Sequence, residues 1–153
     1  MSSPNPNRRD AETVPVKDTG VLRSFSTGAT RDTAAGKHDY DGFISPLVLE
    51  AFGTYMDFNR LLPDGSTRES DNWQKGIPLP VYVKSGWRHF VDWWREHRGY
   101  LSHEGVVWAL CGLLFNVNGY LHEYLKAHPG ALAEALDRAN ERRAQDPRFK
   151  KDK

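Results

Sequence analysis

Apolar residues recur along this chain with helical spacing in three long segments. Val83, Trp87, Phe90, Val91 and Trp94 fall at i, i+4, i+7, i+8 and i+11, which places them on one side of a helix and predicts that they enter a core. Pro80 suits a first helical position and Gly99 a left-handed stop, so this helix runs about five turns. Upstream, Ser45 and Pro46 read as a cap and first helical residue, followed by Val48, Phe52, Tyr55, Asn59 and Leu62 on one stripe. Downstream, a helix from Ser102 to about Ala127 carries two stripes roughly 120° apart. One is Val106, Leu110, Leu113, Leu114, Val117 and Leu121; the other is Trp108, Cys111, Phe115, Asn118 and His122. A helix apolar on two sides needs covering on two sides, so the pattern predicts a homodimer or homotetramer built through it. After Pro129 and Gly130, the run ALAEALDRANERRAQ has only a thin stripe of Leu132, Ala135, Leu136 and Ala139 and predicts a peripheral helix.

These segments define an all-α fold, a helical bundle of about four helices over residues 36–145. Residues 1–35 are rich in Ser, Thr, Asn, Pro, Gly and charge, and read as an extended mobile N-terminal arm with one or two short extended contacts. Residues 146–153 form a charged tail. No alternating run of β-branched residues argues for a sheet.

Charge narrows the partners. Lys plus Arg is 21 against 20 for Asp plus Glu, so nothing in the net charge draws the chain to nucleic acid or to an anionic membrane. The single cysteine, Cys111, excludes an intrachain disulfide and fits a reducing cytoplasm; it sits among Ala109, Leu110, Leu113 and Leu114 as a small buried side chain. No apolar run is long enough to cross a membrane or to act as a secretion signal.

The polar side of the central helix carries the candidate chemistry. His89, Asp92 and Glu96 lie within about 60° of one another, flanked by Tyr82 and Trp93. Two carboxylates, an imidazole and an aromatic ring can hold a metal or a base; a solvated helix face is the plainer alternative. Trp93 among charges predicts that this face is covered by a subunit or a ligand. Glu50 lies among Leu47, Leu49 and Phe52, where an unpaired carboxylate is costly, and is a further candidate ligand. In the long connection from Leu61 to Lys75, Asn72, Trp73 and Lys75 set an amide and an ammonium beside an aromatic surface, a combination able to grip a base and a phosphate. Lys37 ends TGATRDTAAGK, a Gly-bearing stretch that lacks the spacing of a Walker loop.

Three blocks resemble the small phage and bacterial dATP/dGTP diphosphohydrolases: TGATRDTAAGKHDYDGFISPLVLE, SDNWQKGIPLPVYVKSGWRHFVDWWREHRG and ALCGLLFNVNGYLHEYLK. The resemblance spans residues 27–126 and implies kinship with the all-α MazG-like pyrophosphohydrolases, which hold Mg²⁺ with helix carboxylates. It implies hydrolysis of purine deoxynucleoside triphosphates to monophosphate and pyrophosphate with Mg²⁺ or Mn²⁺; on that reading Glu50, Asp92 and Glu96 are the candidate metal ligands or water activators, with His89 as orienter. Lys37, Lys75 and Arg88 then contact phosphate, Asn72 and Trp73 lie on the base side, and Trp93 is a further substrate-binding candidate. The acidic pairs of that family are incomplete here, because the positions after Glu104 read Val106, Val107 and Trp108. That departure motivates a second reading, a non-catalytic protein that sequesters a purine or cyclic nucleotide signal, as a phage does to a defence pathway. A third is a structural or protein-binding oligomer.

Overall fold

The computed structural model describes residues 20–33 and 37–149, in two units that meet between Ile44 and Ser45. In the first, β1 (Leu22–Ser24) and β2 (Thr30–Asp32) pair antiparallel, with Leu22 opposite Asp32 and Ser24 opposite Thr30. The turn closes through the Phe25 N–H on the Ala29 carbonyl at 2.9 Å, and Gly28 takes a φ of 82°, which favours glycine. Strands this short leave too few positions for an alternating pattern to register in the sequence. A short helix, α1 (Tyr40–Phe43), follows, with Asp39 accepting a hydrogen bond from the Gly42 N–H at 3.0 Å. Of the arm predicted over residues 1–35, residues 1–19, 34 and 35 lie outside the described residues.

The second unit is helical: α2 (Pro46–Phe58), α3 (Leu79–His97), α4 (Gly105–Ala127) and α5 (Ala131–Gln145). The fold is therefore all-α, with one small two-stranded sheet. Ser45 caps α2, its Oγ accepting from the Val48 N–H at 3.4 Å, and Pro46 takes the first helical position. Gly99 stops α3 with a φ of 82°. The next helix starts at Gly105 rather than at Ser102, because Gly105 enters it at a φ of 72° while Ser102 Oγ accepts the Gly105 N–H at 3.0 Å.

The centre of this unit is an antiparallel seam between α3 and α4. Its closest approaches fall at glycines. A Cβ placed on Gly119 would strike the Tyr82 ring, one on Gly112 would lie 2.6 Å from the His89 ring, and one on Gly86 would meet the Asn116 Cβ at 3.5 Å. Tyr82 is consequently 2% exposed and Ala109 fully buried. Against α4 as well, α2 lays Tyr55 and Phe58 edge-on to Trp108, at 5.6 and 5.8 Å between ring centres. Helix α5 buries none of its residues, as its thin stripe predicts.

The predicted core stripe of α3 is on the outside. Trp87 is 63% exposed and Trp94 53%, with Val83 and Val91 also exposed, while the side bearing Tyr82, Gly86 and His89 turns to α4. Amphipathic spacing locates an apolar face but does not choose its partner. Here the glycines choose, because a bare backbone lets a tyrosine and an imidazole seat where longer side chains would hold the helices apart. The two stripes of α4 separate in the same way. Trp108, Cys111 and Phe115 are covered within the chain, by α2 and by Tyr82, whereas Val106, Leu110, Leu114, Val117 and Leu121 remain exposed.

Candidate functional site

A polar pocket of about 410 Å³ opens where the end of α2, the connection after it and the α3–α4 pair converge. The connection is built to hold its shape. Asp64 Oδ1 accepts from the Ser66 N–H at 2.9 Å and from its hydroxyl at 2.6 Å, which holds the Asp64 carboxyl below the usual range, and Gly65 takes a φ of 82°. Arg60 spans the two sides of the connection, donating from Nε to the Arg68 carbonyl at 2.7 Å and from Nη1 to Asp57 at 3.0 Å. A guanidinium fixed at two of its donors presents the rest with little entropy left to lose. A short 3₁₀ turn, Asn72–Lys75, then sets Asn72 and Trp73 into the wall, with Trp73 half-buried and edge-on to His122 at 4.9 Å. From the helix pair come Ser85, His89, Phe115 and Asn116.

His89 is held in the pocket from two sides. Its ring lies against the bare backbone of Gly112, and its Nδ1 is 2.9 Å from Glu104 Oε2, with side-chain exposures of 14% and 30%. A carboxylate accepts, so Nδ1 carries the hydrogen. Nearby, burial first, then the negative charge of Glu104, raise the Tyr55 phenol above its ordinary value. Burial likewise raises the Cys111 thiol, which keeps it protonated and inert.

The structure brings three of the predicted site residues, Asn72, Trp73 and His89, into this one pocket. Lys75 stands beside it with Nζ on Asn72 Oδ1 at 3.3 Å. Arg88 is exposed on α3, bonded to Ser85 Oγ at 3.0 Å, and Trp93 is half-buried between Phe90 and His97. Lys37 belongs to the N-terminal unit, where it pairs with Asp32 at 2.7 Å. Sequence reasoning missed Arg60 and Arg68, which carried no motif, and Glu104 as the partner of His89, a contact that depends on the turn after Gly99.

The three expected metal ligands do not converge. Glu50 is exposed on α2 and Asp92 is half-buried on α3. Glu96 Oε1 accepts the Ser102 N–H at 2.6 Å, a hydrogen bond that lowers its pKa and ties the α3–α4 turn. Among the described residues no three His, Cys, Asp or Glu side chains are grouped to hold a metal ion. This donor set does not fit a Mg²⁺ centre within one chain. No helix among the described residues is long and apolar enough to cross a membrane. No protein-family model, curated protein or solved structure matches the chain.

Proposed function

We propose that the polar pocket takes a purine deoxynucleoside triphosphate and that the protein, working in the cytoplasm, hydrolyses it to monophosphate and pyrophosphate. The observation that carries this reading is the gathering of Trp73, Asn72, Arg60, Arg68 and His89 around one pocket of about 410 Å³, within the size range of small-molecule sites. Each supplies a different part of nucleotide recognition. An indole offers a stacking face for a base, an amide pairs with its edge, and two guanidinium groups neutralise phosphate. Mg²⁺ or Mn²⁺ enters as the counter-ion of the triphosphate. The test is incubation of the purified protein with dATP or dGTP and either metal, with ion-exchange separation of the products. Monophosphate and pyrophosphate in equal amounts support the reading; triphosphate returned intact from every condition overturns it.

One observation favours a second reading, binding without turnover. Glu96 is committed to Ser102, and Glu50 and Asp92 do not join it. A purine or cyclic nucleotide released unaltered when the protein is denatured is the result expected of such a sequestering protein. We also propose that the working form is a homodimer or homotetramer. The support is the exposed apolar surface of α3 and α4, where Trp87, Trp94, Val117 and Leu121 each stand more than half exposed.

A further inference from the structure

We propose that His89 and Glu104 form a catalytic dyad, in which His89 Nε2 removes the proton from the attacking water and Glu104 holds the imidazole for that task. This rests on the hydrolytic reading above, and four features of the pair support it. The Nδ1 to Oε2 hydrogen bond, 2.9 Å, joins α3 to the residue just before α4 across the turn. It fixes the tautomer and leaves Nε2 as the lone-pair nitrogen. Nε2 has no hydrogen-bond partner among the described residues and is not sealed off, since the Tyr82 hydroxyl is the buried side-chain polar atom left unpartnered there. The residue lines the polar pocket and not the apolar groove on the other side of the seam. Gly112 gives the ring its seat, so the imidazole is aimed by packing as well as by the carboxylate.

The chemistry balances with the groups at hand. A water oxygen attacks the α-phosphorus while its proton passes to Nε2. The bond from the α-phosphorus to the bridging oxygen breaks, and that oxygen keeps the electron pair as pyrophosphate leaves. Arg60 and Arg68 are the cations lining the same pocket, placed to neutralise the leaving charge. The imidazolium formed is stabilised by Glu104 and returns its proton to solvent or product before the next turnover. His89 is the catalytic residue, and Glu104, acting through it, is a positioning residue.

The decisive experiment compares kcat and KM for dATP and dGTP in the wild-type protein, His89→Gln, Glu104→Gln and Glu104→Asp, with binding of a non-cleavable α,β-methylene analogue measured alongside. Expected is a fall in kcat of about 10²- to 10⁴-fold for His89→Gln, with analogue affinity kept within about threefold. Glu104→Gln, which preserves an acceptor but not the charge, is expected to lower kcat while leaving KM and the thermal midpoint in place, and Glu104→Asp to recover part of it. A merely structural role for Glu104 would leave kcat unmoved in the folded glutamine variant. Wild-type turnover with undiminished kcat in folded His89→Gln or Glu104→Gln overturns the dyad and leaves the hydrolytic reading standing. A wild-type protein that binds the analogue and cleaves nothing overturns both.

Discussion

The α3–α4 pair has a hollow on each side, and the two differ in almost everything except Asn116, which lines both. One is an apolar groove of about 540 Å³ between Tyr82, Trp87 and Phe90 of α3 and Leu113, Val117 and Leu121 of α4. The other is the polar pocket with its two arginines, Asn72, Trp73 and His89. The groove presents an almost wholly apolar surface, and its rim of exposed Trp87 and Leu121 is surface that water leaves readily. Two of the groups lining the pocket are already held by hydrogen bonds, Arg60 to Asp57 and to the Arg68 carbonyl, His89 to Glu104, so their geometry stands before any ligand arrives. On the proposed reading, protein association and ligand recognition are divided between the two sides of one seam. Asn116 holds its place by donating to the Gly112 carbonyl at 2.7 Å, the residue on which His89 sits.

The largest effect is expected at the seam that separates the two hollows. Gly119→Val drives a branched side chain into the Tyr82 ring and is expected to cost about 1–3 kcal/mol or more by urea unfolding; an unchanged midpoint would contradict the glycine-seated packing. Next comes the groove. Trp87→Lys is expected to lower the mass seen by light scattering and to remove up to about 3 kcal/mol of association energy per buried indole. An assembly of undiminished size would move the interface elsewhere. A smaller effect is expected of Tyr82→Phe. The Tyr82 hydroxyl is buried without a partner among the described residues, and burial, then Glu123, raises its pKa, so removing it is expected to leave stability unchanged or to raise it by about 1 kcal/mol. A clear loss would reveal a bonded hydroxyl.

The smallest effect concerns the turn that supplies Glu104. The Ser102 backbone N–H, then its hydroxyl, hold the Glu96 carboxyl below its ordinary value. A depressed folded-state pKa contributes stability that is present above the unfolded value and lost as pH falls through the folded one. Glu96→Gln should therefore flatten the acid limb of a stability-against-pH curve in the carboxylate range, by lowering stability slightly at neutral pH and leaving it unchanged at acid pH, where wild-type Glu96 is protonated. An acid limb identical to wild type would show that the hydrogen bond does not bear on folding.

Three helix boundaries were legible because they are local: Ser45 and Pro46 open α2, Gly99 closes α3, and Pro129 with Gly130 separates α4 from α5, each through its own backbone chemistry, whereas the start of α4 falls at Gly105 and not at the expected Ser102. Which face of α3 meets α4 was not legible. The apolar stripe of Val83, Trp87 and Trp94 outweighs Tyr82, Gly86 and His89 on any hydropathy reckoning, yet the seam forms where Gly112 and Gly119 leave room, and that match appears only when two helices are set side by side. The candidate site was legible in part for the same reason. Asn72 and Trp73 stand out as a polar and aromatic cluster in a long connection, whereas Arg60, Arg68 and Glu104 are ordinary surface residues until folding brings them to the wall or to His89.

The contrast between pocket and groove is tested most directly by calorimetric titration of dATP and dGTP into the wild-type protein, Trp73→Ala and Trp87→Lys, at low temperature and before product accumulates. Saturable binding is expected in the wild type and in Trp87→Lys. Trp73→Ala is expected to lose about 1–3 kcal/mol, the usual worth of one base stacked on an aromatic ring. Binding that survives Trp73→Ala intact and fails in Trp87→Lys would place the nucleotide in the groove, and no heat with either nucleotide would remove it from the molecule.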